Sequence, residues 1–458
     1  MLAKDTKNTN VIFLCCDALR ADRIYGYRRT LTPNIKDLMK DSVYFTRAFS
    51  VGPNTPNSYP SLFGRVYPSE THGLGTIPQS VKTVAEIFAR NGYVTYGLNA
   101  GNAWLSEYFG YDRGFKYFRS YLDLSIHPDS KAFKSGKFTK LKEFQDKIAI
   151  ILRNRQNLKR VALKAYKYYR YLFFSRSELA QEKTLRKKFL DDAKNVIKDA
   201  CMHQRPFFIW FHFMSTHWPL IPFQRKISER YNIRKTNYLP TNTQELIDLY
   251  DDCVLTFDSH VGEIVNILKN NNLYDDTIII LTSDHGEKFF ERDVCSHPSE
   301  LEVELLSVPL IIKFDSSKIS GRINELFSQI GLFESIFKYL GLRYNSRSDI
   351  NYFYTTGNAL AIKNNYYIFF EAKAFQDAFK EMLKRTIDVD IFGVMSTNSF
   401  LKYDKRAHDI YYEGKVEERE MMVDALLQHI RKSRAIRERN ILKDKAKKII
   451  MKYLNSNL

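Results

Sequence analysis

The chemistry open to this chain rests on a few oxygen and nitrogen ligands that follow apolar runs. Asp17 comes directly after the run Asn10–Cys16, in Asp17-Ala18-Leu19-Arg20-Ala21-Asp22. A carboxylate fixed by a strand end is a good oxygen ligand for a divalent cation, although taken alone such an aspartate more often caps a loop. Asp284 and His285 follow Thr277–Leu281 in Thr282-Ser283-Asp284-His285-Gly286-Glu287. They offer mixed oxygen and nitrogen coordination beside a glycine that permits a tight turn. His217 stands past the run Pro206–Phe211 and is a functional candidate, whereas His212 beside that run reads as a core histidine. His297, a dozen residues after His285, can return to the same pocket. Thr55 supplies a hydroxyl and by itself is an unremarkable loop residue.

Such residues need a scaffold that gathers strand ends. Asn10–Cys16, Val43–Phe49, Tyr93–Leu98, Pro206–Met214, Thr277–Thr282 and Val308–Ile312 are short apolar runs of strand length. Between them, Leu31–Met39 reads as a helix with Thr32 as N-cap and Pro33 as first residue. Val81–Arg90 reads as a second, stopped by Asn91-Gly92. Short buried strands alternating with helices indicate an α/β fold with a mainly parallel sheet, whose sites lie beyond the strand ends. From Phe144 to Phe174 apolar residues recur at helical spacing with lysine and arginine between them, as in basic amphipathic helices inserted at about 131–200. After about residue 330 the character changes again. Ala359–Lys373 suggests a hairpin and Met421–Tyr453 basic helices. The expected division is a catalytic part, 8–330, and a small C-terminal α+β subdomain, 331–458.

The formal charge of +18 is local. Lys131–Arg176 holds 14 Lys/Arg against Glu143 and Asp146, and Arg431–Lys452 holds 10 against Glu438 and Asp444. These segments exceed the whole excess, so the catalytic body is not basic. They read either as solvated faces or as attraction to an anionic surface, membrane lipid or a phosphorylated polymer. No recognition motif supports nucleic-acid binding. The 5 cysteines form neither a disulfide framework nor a zinc knuckle. With no signal-like N-terminus and no apolar span near the roughly 20 residues a bilayer needs, the expected location is cytoplasmic, peripheral at the inner face of the membrane.

The clusters also have an order. Asn10–Tyr27 runs strand, Asp17, Leu19-Arg20-x-Asp22, then Tyr25-Gly26. Thr55-Pro56-Asn57-Ser58-Tyr59-Pro60-Ser61-Leu62-Phe63-Gly64-Arg65-Val66-Tyr67-Pro68 follows, then His72-Gly73. Next come Asn102, Trp104-Leu105 and Gly110-x-x-Arg113-Gly114-Phe115, then Phe207–Pro219 and Thr282–Pro309. Over Asn10–Ser120 and Arg205–Lys313 this order resembles the sulfatase family of the alkaline phosphatase superfamily. The resemblance implies an alkaline-phosphatase-like sandwich with metal ligands at Asp17, Asp284 and His285. It puts Thr55 where sulfatases carry the cysteine converted to formylglycine, with Ser58 as rival nucleophile. Besides the missing cysteine, two positions depart from the pattern: Ala18 where a second metal aspartate often stands, and Tyr59 where an arginine is expected.

An Asp, Thr, Asp, His set resembles the single-metal phosphotransferases of the superfamily. The implied activity is hydrolysis or transfer of a phosphate ester or phosphodiester through a covalent threonine adduct, Thr55 itself ligating the metal. His217 or His297 would serve the leaving oxygen or the phosphate, and Arg20, His72 and Asn102 would contact substrate. Mixed ligation favours Mn²⁺ or Zn²⁺ over Mg²⁺ or Ca²⁺. The substrate would be a phosphate or sulfate ester, glycan or lipid linked. A sulfate-ester hydrolase is the alternative, and a catalytically silent protein binding an anionic surface the second.

Overall fold

Alternation along the first strand decides the layers. In β1 (Asn10–Cys16) every residue is buried. Ile12, Leu14 and Cys16 enter one apolar core, Val11, Phe13 and Cys15 another. A strand buried on both faces belongs at the centre of a sheet covered by helices on each side. In the computed structural model, β1 is flanked in parallel by strands from distant parts of the chain. Residues 9–26, 31–71, 74–122, 176–218, 220–223, 226–228, 242–315, 319–356, 359–363, 367–373, 391–405 and 409–455 are described.

The large sheet adds β2 (Val43–Phe45), β3 (Val94–Asn99), β4 (Tyr117–Ser120), β5 (Phe207–Phe213), β6 (Thr277–Thr282), β7 (Leu310–Lys313) and β8 (Gly321–Ile323). Its order is β8-β2-β7-β6-β1-β5-β3-β4. β7 runs antiparallel to both neighbours, and the other pairs are parallel. One face is covered by α1 (Pro33–Lys40), α4 (Arg176–Cys201) and α5 (Thr243–Asn270), the other by α2 (Thr55–Gly64), α3 (Val84–Arg90) and α6 (Leu332–Tyr339). This is the expected α/β sandwich.

Three details correct the sequence reading. Val43–Phe49 is two strands, β2 in the large sheet and Ala48–Phe49 paired with Phe327–Ser328. Thr32 occupies the N-cap of α1 but its side chain makes no capping bond. That role falls to Asp258 of α5, whose carboxylate accepts Ile35 N–H at 2.8 Å and Asn34 N–H at 3.3 Å. The expected hairpin over Ala359–Lys373 is divided between sheets. β9 (Tyr352–Thr356) pairs with β10 (Ala359–Lys363), while β11 (Ile368–Ala372) opens an antiparallel sheet with β12 (Ile391–Met395), β13 (Phe400–Asp404) and β14 (Asp409–Glu413). β11 is claimed by the body because Ile368, Phe370 and Ala372 join Phe49, Leu301 and Leu306 in a core of their own.

One helix, α7 (Arg419–Asn455), closes the chain. Met422 and Leu426 seat it on β12 and β13. His429 pins it further, stacking on Phe369 at 4.2 Å and bonding buried Glu371 at 2.8 Å. Most of the expected basic insertion, up to residue 175, lies outside the described residues. α4 covers the rest, and its Phe189, Ala193 and Ile197 belong to the core. Among the described residues no helix is long and apolar enough to cross a membrane.

Candidate active site

Because β5, β1 and β6 are adjacent and parallel, their carboxyl ends deliver Asp17, the His212–His217 segment and Asp284-His285 to one edge of the sheet. The turns there are held by hydrogen bonds. Ser283 Oγ donates toward the Cys16 and His285 carbonyls, both at 2.6 Å, and accepts Leu19 N–H at 2.7 Å. Ala18 takes the left-handed conformation, φ 60°, which side chains other than Gly, Asn and Asp adopt at a cost. The turn is held by its N–H to Asp284 Oδ1 at 3.3 Å and its carbonyl to the Tyr250 hydroxyl at 2.6 Å. Gly286 is required by close approach, since a Cβ would lie 2.0 Å from the Glu304 carbonyl.

Asp17, Asp284 and His285 are wholly buried, and their ligand atoms lie within 4.8 Å of one another. Among the described residues, Asp17 Oδ1 and Asp284 Oδ2 have no hydrogen-bond partner. Two buried carboxylate oxygens left unpaired beside each other are costly unless a cation completes them. His285 fits the same purpose. Its Nδ1–H donates to the Gly286 carbonyl at 2.7 Å, which leaves the Nε2 lone pair 3.6 Å from Asp284 Oδ2. Burial and the charge of His297 push this imidazole down to about 3, keeping it neutral. The donor set suits a divalent metal ion.

The two carboxylates respond oppositely to their closeness. Burial, then the charge of Asp17, pushes Asp284 well above the carboxylate range. Burial would raise Asp17 as well, but the charge of His217 and a hydrogen bond from His212 hold it low.

Thr55 opens α2 and is almost fully buried. Its Oγ1 lies 3.4 Å from both Asp17 Oδ2 and His285 Nε2 and accepts from Asn102 Nδ2 at 3.1 Å. Asn102 also donates to Asp17 Oδ2 at 2.7 Å, and its Oδ1 accepts Trp104 N–H at 3.0 Å. Ser58 lies one turn on, its hydroxyl 3.3 Å from the Thr55 carbonyl. His217 and His297 stand at the half-buried rim, ring centres 5.2 Å apart, with His297 also 4.7 Å from His285. Each is anchored through Nδ1, His217 on the Trp218 carbonyl at 2.6 Å and His297 on Glu287 at 3.2 Å, leaving Nε2 free. Burial opposes charge on His297, but the Glu287 carboxylate raises its pKa. Arg20 spends its guanidinium on Asp22, Glu291 and the Glu287 carbonyl. His72 lies outside the described residues.

Three further side chains shape this site, and the sequence reading gave none of them a role in it. Glu287 orients His297. His212 is fully buried, as a core histidine is, yet its Nε2 lies 3.1 Å from Asp17 Oδ2. Tyr59 bonds His212 Nδ1 at 2.6 Å. The last has a signal in retrospect: Thr55 and Tyr59 are four apart and share a helix face.

The sulfatase family profile matches residues 9–342 of this chain. The chain belongs to the sulfatase family. This sulfatase-family protein is 22% identical over 391 residues to N-acetylgalactosamine-6-O-sulfatase of Bacteroides thetaiotaomicron, covering 73% of each chain. Its fold is similar to that of phosphonate monoester hydrolase of Agrobacterium radiobacter, with a TM-score of 0.59 at 14% identity, covering 94% of this chain and 96% of that one. It is also similar to a structure solved with its substrate D-glucosamine-2-N,6-O-disulfate, with a TM-score of 0.58 at 12% identity, over 95% and 99% of the two chains. Family, fold and candidate metal triad together are those of an enzyme acting on sulfate or phosphate esters.

Proposed function

We propose that this sulfatase-family enzyme cleaves or transfers its ester through Thr55 Oγ1 as nucleophile. The observation that carries the reading is the place of this hydroxyl, buried between Asp17 and His285 at 3.4 Å from each and held by the Asn102 amide. Asp17, Asp284, His285 and Thr55 would hold a divalent cation, Mn²⁺ or Zn²⁺ by preference, which would lower the pKa of the Thr55 hydroxyl and neutralise charge on the ester oxygens.

Thr55 loses its proton to solvent, and its oxygen bonds to phosphorus or sulfur as the bond to the ester oxygen breaks. The departing oxygen takes a proton from Nε2–H of His297 or His217. Water or an acceptor alcohol then attacks the adduct, returns a proton to the histidine and frees Thr55. The division into a catalytic part, 8–330, and a subdomain, 331–458, belongs to the same proposal.

Two substrate classes follow from different observations. The relatives favour a sulfate ester on a sugar, through the names of the Bacteroides enzyme and of the disulfate complex. Thr55 itself favours phosphate. A single hydroxyl has no second oxygen from which an adduct can be expelled, so release requires attack at the central atom.

Intact-mass spectrometry on Mn²⁺- or Zn²⁺-loaded protein with chromogenic sulfate monoesters, phosphate monoesters and phosphodiesters tests both. Turnover with a sulfuryl or phosphoryl adduct that is absent from Thr55→Ala is the expected result, and the substrate that leaves the adduct names the class, since the two groups add the same nominal mass. Turnover surviving Thr55→Ala without an adduct overturns the mechanism.

A further inference from the structure

Two of the three departures from the family pattern, Thr55 in place of the cysteine and Tyr59 in place of the arginine, meet behind Asp17. Thr55 and Tyr59, one turn apart on α2, both lead to this carboxylate: the threonine directly, the tyrosine through His212. Strand parity makes the second path. His212 lies on the same face of β5 as Phe208 and Trp210, the face covered by α2, whereas Phe211 and Phe213 face α4 and α5. Tyr59 is wholly buried, its ring packed on Phe63 at 5.6 Å, on Trp210 at 5.8 Å and on His212 at 5.2 Å.

The hydrogen bonds run one way along this column. A carboxylate only accepts, so His212 Nε2 carries the proton donated to Asp17 Oδ2 at 3.1 Å. Nδ1 is then the lone-pair end of the neutral ring and accepts the Tyr59 O–H at 2.6 Å. With Asn102 also donating at 2.7 Å, Asp17 Oδ2 is saturated from the protein side. Oδ1 is left bare. Asp284 is arranged in the same way, its Oδ1 taken by the N–H groups of Ala18 and His285 at 3.3 and 3.1 Å and its Oδ2 bare.

We infer that Tyr59 and His212 are positioning residues that make Asp17 a one-oxygen ligand and so bias the site toward small transition-metal cations over Ca²⁺. This inference rests on the metal reading of the site proposed above. Zn²⁺ is satisfied by four ligands and Mn²⁺ by six, imidazole among them, and neither needs a carboxylate bound through both oxygens. Ca²⁺ requires 6–8 oxygens and gains from carboxylates bound through both. A site with Ala18 in place of a further carboxylate, and with Asp17 locked to one oxygen, denies Ca²⁺ what it needs. Outer partners of this kind are worth about 10–100-fold in metal affinity.

Calorimetric titration of the metal-stripped full chain with Zn²⁺, Mn²⁺ and Ca²⁺ tests this, using wild type, Tyr59→Phe, His212→Phe, His212→Gln and Asp284→Asn. Tyr59→Phe and His212→Phe are expected to weaken Zn²⁺ and Mn²⁺ by about tenfold while Ca²⁺ holds or tightens, collapsing the preference. His212→Gln, which can still donate to Asp17, is expected to recover part of it. An unchanged Zn²⁺-to-Ca²⁺ ratio in both phenylalanine variants overturns the inference and leaves the metal site standing. So does an equal loss for all cations together with a lowered melting temperature, which is damage to the fold. If wild type binds no more cation than Asp284→Asn, the metal reading falls and takes the inference with it.

Discussion

Two buried histidines lie on opposite sides of β5, His212 on the strand itself and His260 on α5, and their surroundings could hardly differ more. On the α2 side of β5, His212 has both ring nitrogens paired, to Tyr59 and Asp17. On the α5 side, His260 is 4% exposed, stacks against Phe213 at 5.6 Å and touches Phe223, and neither nitrogen has a hydrogen-bond partner. Burial alone therefore says little about a histidine's task. One imidazole is built into a chain of polar groups ending at a candidate metal ligand. The other fills space among aromatic rings, where burial and the charges of Arg186 and Lys194 push its pKa down to about 3.

The comparison predicts that substitutions on the α2 side of β5 act on chemistry and those on the α5 side on stability. The largest effect belongs to Thr55→Ala, expected to lower kcat/KM by about 10³-fold or more with the unfolding midpoint little changed. Steady-state kinetics beside denaturant unfolding checks it, and an active variant breaks the assignment of that face. Glu287→Gln comes next. The glutamate accepts from His297 Nδ1 and its charge raises the pKa of that ring; the amide keeps an acceptor but loses the charge that favours the protonated imidazole. A fall of about 10–100-fold in kcat/KM, with cation affinity near wild type, is the expected signature. Equal losses of affinity and rate would move Glu287 from orienting His297 to supporting the metal ligands.

On the other face, His260→Phe is expected to raise stability by about 1–3 kcal/mol, because two unpaired polar atoms leave the core. The pH dependence carries its own sign. A histidine with a folded pKa of about 3 stays neutral in the native state, while the unfolded chain takes up the proton near 6.5. Its stability contribution is therefore whole above about 6.5 and is lost as the pH falls toward 3, at about 1.4 kcal/mol per pH unit. Urea unfolding at pH 7, 6 and 5 should show wild type losing ground to the variant. Parallel curves would mean that His260 finds a partner in solution.

How much of this was legible in the sequence follows the same division. Asp17, Asp284 and His285 were readable because each follows an apolar run, and runs of that length become adjacent parallel strands. Their closeness came from the order of motifs, since nothing local tells a strand its neighbours. The bond between Tyr59 and His212 was hidden, because helix-to-strand pairing is a tertiary fact. A histidine amid Phe and Trp looks the same in sequence whether it meets a tyrosine or a void. β11 was misjoined for a related reason: its apolar residues are the same whether it pairs with β10 or β12, and the core formed with Phe49 and Leu301 decides. α5 was within reach. Leu246, Leu249, Tyr250, Cys253, Val254, Phe257, Val261, Ile264, Val265 and Leu268 carry its helical period plainly, and a reading led by strands passes over it.

The smallest effect predicted tests whether α5 is an anchor. Asp258 faces the start of α1, and Gly262, one turn on, leaves room for Asn34, since a Cβ there would lie 2.4 Å from Asn34 Oδ1. Both carboxylate oxygens accept from α1: Oδ1 from Ile35 N–H, Oδ2 from the Asn34 side chain and backbone. In Asp258→Asn one of those oxygens becomes an NH₂ group facing donors, and the charge that complements the N-terminal end of α1 is lost. A loss of about 1 kcal/mol in unfolding free energy, with kcat/KM within twofold, is expected. Asp258 and α1 place no side chain at the metal triad, and Tyr250, which α5 does send to the Ala18 turn, is untouched, so an activity loss beyond that margin would show that the anchoring of α1 reaches the Asp17 turn. The two faces of β5 would then be coupled, and the contrast between His212 and His260 would be one of degree.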